Sequence, residues 1–136
     1  MHGNTRALET VLAEVADVDL VLNLGDILSG AVDPRGTLDL LADRPDILTI
    51  RGNHERQILT FSAERMSTSD RHAADVLTTA DRAWLAGLPE TVEPAPGVFA
   101  FHASPGEDLR YLNETVTAAG LRPATVAEIV ERLGDA

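Results

Sequence analysis

Apolar and polar residues alternate along this chain in blocks that predict helices separated by short strands. Apolar residues recur at helical spacing from Leu8 to Val15, and Asn4 stands before them as a helix cap. Residues 18–24 are nearly continuous in Val and Leu, which is typical of a buried parallel strand. Residues 46–50 have the same character, so we predict a second buried strand there.

The rest of the chain continues this alternation. We predict helices around residues 38–41, 54–60 and 80–88, and a third strand at residues 98–101. Residues 62–69 are polar and predict a surface segment, whereas Thr125 and Glu128 form a capping box for a last helix. Strands separated by helices favour an α/β fold with a mainly parallel sheet. The length of 136 residues predicts one domain, spanning residues 1–136.

Composition narrows the function classes. The formal net charge is −11, and all eleven basic residues are Arg. Such an acidic chain repels the phosphate backbone, which argues against an extended nucleic-acid partner. Cysteine is absent, which excludes thiolate chemistry, and no apolar run approaches the ~20 residues that span a bilayer. We therefore expect a cytoplasmic protein without a membrane partner.

The candidate chemistry lies in short polar loops that follow the predicted strands. These loops carry Gly25-Asp26, the string Arg51-Gly52-Asn53-His54-Glu55, and His102, while His2-Gly3-Asn4 opens the chain in the same style. In parallel sheets, ligands gather at the carboxyl ends of the strands, so we expect these loops to converge. Carboxylate and amide oxygens with imidazole nitrogens suit a divalent metal.

Two cations held by such a set could clamp a phosphate ester and position a hydroxide for in-line attack. His54 could then donate a proton to the leaving oxygen, and Arg51 and Asn53 could contact the substrate phosphate. Glu55 and Arg56 are interpreted as helix-start and surface residues, and Arg51 is as readily a simple salt-bridge residue as a phosphate contact.

This set of loops resembles the calcineurin-like metallophosphoesterase superfamily, of the small bacterial phosphoesterase type. The resemblance implies a β-sandwich flanked by helices, in α-β-β-α layers, and a dinuclear metal centre. It implies that Asp26 bridges the metals, that His2 ligates the first, and that Asn53 and His102 ligate the second. It also implies that His54 is the proton donor. We expect Mn²⁺, with Zn²⁺ or Fe as alternatives.

The chain departs from the family pattern at both ends. The Asp of the family's first motif would stand before Met1, and the last Gly-His-x-His loop would follow the helix that starts at Thr125. We therefore expect a domain that lacks its first strand and its C-terminal part, with reduced activity.

The leading hypothesis is a metal-dependent hydrolase of phosphomonoesters or phosphodiesters acting on a small phosphorylated substrate. The alternative is a non-catalytic protein-interaction module, or an inactive fragment, on the same fold. The identity of the substrate and the oligomeric state are left open.

Overall fold

The computed structural model describes residues 1–30 and 32–135 and shows a mixed α/β fold of small sheets and helices. Within those residues the helices are α1 (Thr5–Glu14), α2 (Pro34–Ala42), α3 (Asn53–Thr60), α4 (Thr68–Asp75), α5 (Thr79–Gly87) and α6 (Val126–Leu133). The strands are β1 (Val21–Asn23), β2 (Ile47–Thr49), β3 (Thr91–Ala95), β4 (Val98–Phe101), β5 (Glu114–Thr117) and β6 (Gly120–Pro123). The predicted α/β class is confirmed.

The parallel pair of strands β1 and β2 positions the first two motif loops. Val21 aligns with Ile47 and Asn23 with Thr49, so both strands end at the same edge. The strands are shorter than predicted, β1 is only partly buried, and Leu20 just before it is 42% exposed. The parallel strand predicted within residues 18–24 is confirmed, but the prediction that both strands are buried is wrong, because β1 is half-buried and Leu48 in β2 is 36% exposed. Within the described residues β1 pairs with β2 alone, which leaves its other edge open.

The third predicted strand has the expected bounds but a different partner. Strand β4 pairs antiparallel with β3, across a connection of two residues that contains Gly97 at φ +76°. A two-residue connection permits only an antiparallel hairpin, so a mainly parallel sheet is not what forms. Strands β5 and β6 make a second antiparallel hairpin, which the sequence analysis did not predict.

Side-chain caps set the helix starts. Asn4 accepts a hydrogen bond from the amide of Ala7 at the start of α1, as predicted. The capping box of Thr125 and Glu128 starts α6, which is also confirmed. Helix α4 was not predicted; its cap, Ser67, lies in the predicted polar segment, but most of the helix follows that segment.

The hydrophobic core forms between the helices and the loop after β1. Its most buried members include Ile27, Leu28, Leu38, Ile58 and Leu85, all at or below 2% exposure. Ile27 and Leu28 directly follow the Gly25-Asp26 motif, so core packing anchors the loop that carries a candidate metal ligand.

Within the part of the chain that the structure describes, none of the helices is long and apolar enough to cross a membrane.

Candidate metal centre

The two motif loops that follow β1 and β2 lie in direct contact. A Cβ added to Gly25 would lie 2.4 Å from the amide nitrogen of Gly52, and one added to Gly52 would lie 2.5 Å from the amide nitrogen of Asp26. Real side chains do not tolerate such distances, and Gly25 also has φ +90°. The glycines of both motifs are therefore required because two backbones approach each other there.

The carboxylate of Glu55 joins these loops. Glu55 lies in the first turn of α3, as interpreted, but it is fully buried at 0% exposure, so its interpretation as a surface residue is wrong. Its Oε2 accepts from the amides of Asp26 (2.9 Å) and Gly52 (3.0 Å), and its Oε1 from those of Ile27 (2.7 Å) and Leu28 (3.3 Å). One side chain on α3 thus fixes the loop that carries Asp26 relative to the helix that begins at Asn53.

The start of the chain lies against the same loop. The amide of His2 donates to the carbonyl of Asp26 at 2.9 Å, and the amide of Gly3 donates to that of Ile27 at 2.7 Å. These bonds place the imidazole of His2 beside the Asp26 carboxylate, with 3.7 Å between Nε2 and Oδ2.

The end of β4 delivers His102 to the other side of Asp26. His102 Nδ1 lies 2.6 Å from the carbonyl oxygen of Leu24, and its Nε2 lies 3.1 Å from Asn53 Oδ1. The same Nε2 is 3.5 Å from Asp26 Oδ1. The carboxylate of Asp26 therefore has one oxygen facing His2 and the other facing His102.

The convergence predicted for His2, Asp26, Asn53, His54 and His102 is what the structure shows. One ligand atom each from His2, Asp26 and His54 lies within 4.8 Å of the others, a spacing that could hold a metal ion. The amide of His54 also points to Asp26 Oδ1 at 3.4 Å. The sequence predicted His54 as a proton donor, and its position close to His2 and Asp26 suits that role.

All three histidines of the site have their Nδ1 atom beside an acceptor. The partners are the carbonyl of Ser29 for His2 (2.9 Å), the Asp70 carboxylate for His54 (2.8 Å) and the carbonyl of Leu24 for His102 (2.6 Å). A proton on Nδ1 satisfies each acceptor and leaves Nε2 with a lone pair, the arrangement that prepares the imidazoles of His2 and His102 for metal ligation.

The donor set therefore fits divalent cations. With Nδ1 of His102 protonated, its Nε2 lone pair faces the Asn53 oxygen across 3.1 Å. Two lone-pair atoms at that distance repel each other, and a shared cation or an added proton removes the repulsion. His2, Asp26, Asn53 and His102 can supply the nitrogen and oxygen ligands for such cations.

Asp70 is a member of the site that the sequence analysis missed. Its side chain, at 1% exposure, lies on α4 and contacts His54. Burial acts to raise the pKa of Asp70, but hydrogen bonds from Ser67, Ser29 and His54 outweigh it and lower the pKa. The capping pattern Ser67-x-x-Asp70 was the available signal for this helix.

Arg51 lies beside the centre and already has a partner. Its Nη2 donates to Glu90 Oε1 at 2.5 Å, so the salt-bridge interpretation is realised. Arg51 also lines a cavity with His102, and its predicted contact with a substrate phosphate stays a prediction.

Backbone strain is concentrated at the centre. Within the described residues, the non-glycine residues with positive φ are His2 (+52°), Asp26 (+53°) and Ala103 (+60°). Two are site residues and the third follows His102. Such conformations cost about 1–3 kcal/mol each and persist where the surrounding contacts impose them.

With this geometry established, the comparisons with known proteins identify the class. The family model of calcineurin-like phosphoesterase matches residues 1–123, and the chain belongs to that family. No curated protein matches the chain significantly.

Solved structures of similar fold agree with that class. A metallophosphoesterase from Sphaerobacter thermophilus is 26% identical, with a TM-score of 0.67 over 83% of this chain and 48% of that one. A protein described as a "putative diadenosine tetraphosphatase" is 25% identical, with a TM-score of 0.61 over 90% of this chain and 60% of that one. A hypothetical protein from Pyrococcus horikoshii OT3, 16% identical, shares the fold alone, with a TM-score of 0.69 over 96% of this chain and 60% of that one. The chain thus spans about half to three fifths of the length of these proteins.

Proposed function

We propose that this protein hydrolyses phosphomonoesters or phosphodiesters at a dinuclear metal centre built around Asp26. The observation that carries the proposal is the placement of its two carboxylate oxygens. Oδ2 lies 3.7 Å from His2 Nε2, and Oδ1 lies 3.5 Å from His102 Nε2. A carboxylate with one oxygen directed to each side can bridge two cations.

The remaining ligands divide between the two sides of Asp26. His2 would hold the first cation, and Asn53 and His102 would hold the second. Mn²⁺ is the proposed ion, with Zn²⁺ or Fe as alternatives, because the ligands combine nitrogen and oxygen donors. Bound cations of this kind polarise a phosphate ester and activate the attacking water.

His54 is the proposed proton donor to the leaving oxygen. Its Nδ1 is held by the buried Asp70 carboxylate at 2.8 Å, and one of its ring nitrogens lies within 4.8 Å of ligand atoms of His2 and Asp26. The Asp70 carboxylate thereby fixes the orientation of the His54 imidazole. Proton donation by a positioned side chain contributes about 10²–10⁴-fold to rate.

The substrate and the cellular location are proposed only as broad classes. The relative described as a tetraphosphatase supports including nucleotides among the phosphate esters to be tested. A small phosphorylated substrate, the absence of an extended nucleic-acid partner and a cytoplasmic location stay predictions from composition.

The test is hydrolysis of p-nitrophenyl phosphate and bis-p-nitrophenyl phosphate with added Mn²⁺, together with calorimetric titration of Mn²⁺. We expect two bound ions per chain and metal-dependent turnover. In Asp26→Asn we expect metal affinity to fall by at least about 100-fold. Loss of a residue that only hydrogen-bonds to a metal ligand already lowers metal affinity by about 10–100-fold.

Asp17→Asn is the matched control, because Asp17 is an exposed carboxylate outside the site. It should leave both measurements unchanged. Metal binding without turnover of either substrate would favour the interaction module over the enzyme. An Asp26→Asn variant that binds Mn²⁺ as the wild type does would overturn the assignment of the centre.

A further inference from the structure

A small cavity opens beside the His102 side of the centre and carries two arginines. It has a volume of about 140 Å³, and its walls include His102, Arg51 and Arg56. Because His102 contacts both Asn53 and Asp26, the cavity adjoins the proposed position of the scissile phosphate. Guanidinium groups recognise phosphate oxygens with paired hydrogen bonds.

These arginines keep donors available although each pairs with a carboxylate. Arg51 uses Nη2 toward Glu90, and Arg56 uses Nε and Nη2 toward Asp108, at 2.6 and 2.7 Å. A guanidinium has five N–H donors, so both side chains can bind a further anion without losing their partners. A second phosphate group, next to the scissile one, fits this chemistry.

A larger cavity, with a mainly apolar surface, lies next to the first. It has a volume of about 570 Å³ and shares Glu107 and Asp108 with the smaller one. Leu109, Tyr111 and Val116 line it, and they are exposed by 63%, 51% and 69%. An aromatic side chain beside aliphatic ones makes a surface on which a planar base can stack.

The boundary between the cavities is acidic. Asp108 is occupied by Arg56, but the Glu107 carboxylate is 61% exposed, with Arg110 Nη1 3.6 Å away. A carboxylate only accepts hydrogen bonds, so it repels a phosphate but suits neighbouring hydroxyls, as acidic residues do with ribose elsewhere.

From this order of groups we propose that the substrate is a nucleoside polyphosphate. Its terminal phosphate lies at the Asp26 centre, the next phosphate at Arg51 and Arg56, the ribose at Glu107, and the base at Tyr111. The proposal rests on the proposed function, because it extends the same site to one substrate class.

The reaction is hydrolysis of a phosphoanhydride. The oxygen of water bonds to the terminal phosphorus, and the bond from that phosphorus to the bridging oxygen breaks. The bridging oxygen leaves with the remaining nucleotide and takes up a proton. The products are inorganic phosphate and a nucleotide with one phosphate fewer.

The test is calorimetric binding of β,γ-imido-ATP, imidodiphosphate and adenosine to the Mn²⁺-loaded protein. We expect β,γ-imido-ATP to bind more tightly than either fragment. Arg56→Gln should weaken both phosphate-containing probes by about 10- to 100-fold, the range for hydrogen bonds to charged groups. Tyr111→Ala should weaken β,γ-imido-ATP by about tenfold and leave imidodiphosphate unchanged.

Arg44→Gln is the matched control, because Arg44 makes the same two-bond pair with Asp46 on an exposed surface. It should bind all three probes as the wild type does. Thermal unfolding checks that Arg56→Gln folds. Tyr111 is exposed, so Tyr111→Ala tests the proposal independently of any folding defect in Arg56→Gln.

If p-nitrophenyl phosphate is hydrolysed but β,γ-imido-ATP binds no more tightly than imidodiphosphate, the nucleotide proposal is wrong and the phosphoesterase proposal stands. Wild-type affinity in both Arg56→Gln and Tyr111→Ala also overturns it. If β,γ-imido-ATP binds as expected while no phosphate ester is hydrolysed, the groove is supported and the catalytic proposal fails.

Discussion

Replacing Glu55 with Gln should destabilise the protein and its metal centre together. The variant keeps the shape of the side chain but replaces one oxygen acceptor by an amide nitrogen. If the remaining oxygen takes the place of Oε2, the amides of Ile27 and Leu28 lose their acceptor and face an N–H₂ donor. Both bonds are buried.

The magnitude follows from those two amides. A buried donor left without a partner costs about 1–3 kcal/mol, so we expect Glu55→Gln to lower the free energy of unfolding by about 3 kcal/mol. Domains have about 5–15 kcal/mol in total, so this is a large fraction. The midpoint of thermal unfolding should fall by about 10 °C. Glu55→Ala removes the acceptor of all four amides and should cost about twice as much.

The assays are urea unfolding and calorimetric titration of Mn²⁺. We expect weaker metal binding in Glu55→Gln, because the loop that carries Asp26 loses its bonds from Ile27 and Leu28 to this side chain. Glu128→Gln is the control, since Glu128 has the same capping-box position on α6 but lies away from the centre. It should leave Mn²⁺ affinity unchanged. A Glu55→Gln variant within about 0.5 kcal/mol of the wild type would refute the reasoning.

Three further predictions concern neighbouring contacts. Asp70→Asn should lower turnover by about 10- to 100-fold with little loss of Mn²⁺ affinity, because it removes the carboxylate that orients His54. Steady-state kinetics measure the turnover and calorimetry measures the Mn²⁺ affinity. An equal loss of turnover and of Mn²⁺ affinity would contradict this prediction. The hydrogen bond from Arg35 lowers the pKa of Asp81, so the stability from this pair is present above the usual carboxyl pKa and is lost as pH falls below it. Asp81→Asn should flatten the acid side of a stability-against-pH curve, and an unchanged slope would count against the pair. Gly52→Ala should unfold at clearly lower urea concentration than the wild type because its Cβ meets the backbone of the neighbouring loop, whereas Gly87→Ala, at a position with open space, should not.

Local signals in the sequence were sufficient for helices α1 and α6 and for the convergence of the motif side chains. Asn4 and the Thr125 box mark α1 and α6, and the side chains gather because their loops follow β1, β2 and β4.

What the sequence could not supply was pairing between distant segments. The extended residues at 98–101 look the same whether their partner is parallel or antiparallel, and the partner depends on the short connection to β3. Glu55 was interpreted as a surface residue because a charged residue in a first helical turn is usually exposed. Its burial depends on the amides of residues 26–28, which only the folded backbone brings within reach. Asp70 likewise becomes a partner of His54 only through the docking of α4 on α3.

The contact of Gly25 with Gly52 also limits how this centre can be transplanted. A protein engineer who grafts the Asn53-His54 segment onto another scaffold would transfer these side chains. The carboxylate of Glu55 would then have no backbone amides that donate hydrogen bonds to it. Residues 25–28 and 51–55 have to move as one unit, with their mutual spacing preserved. For the same reason, natural variation at either segment should be tolerated mainly when the other changes with it.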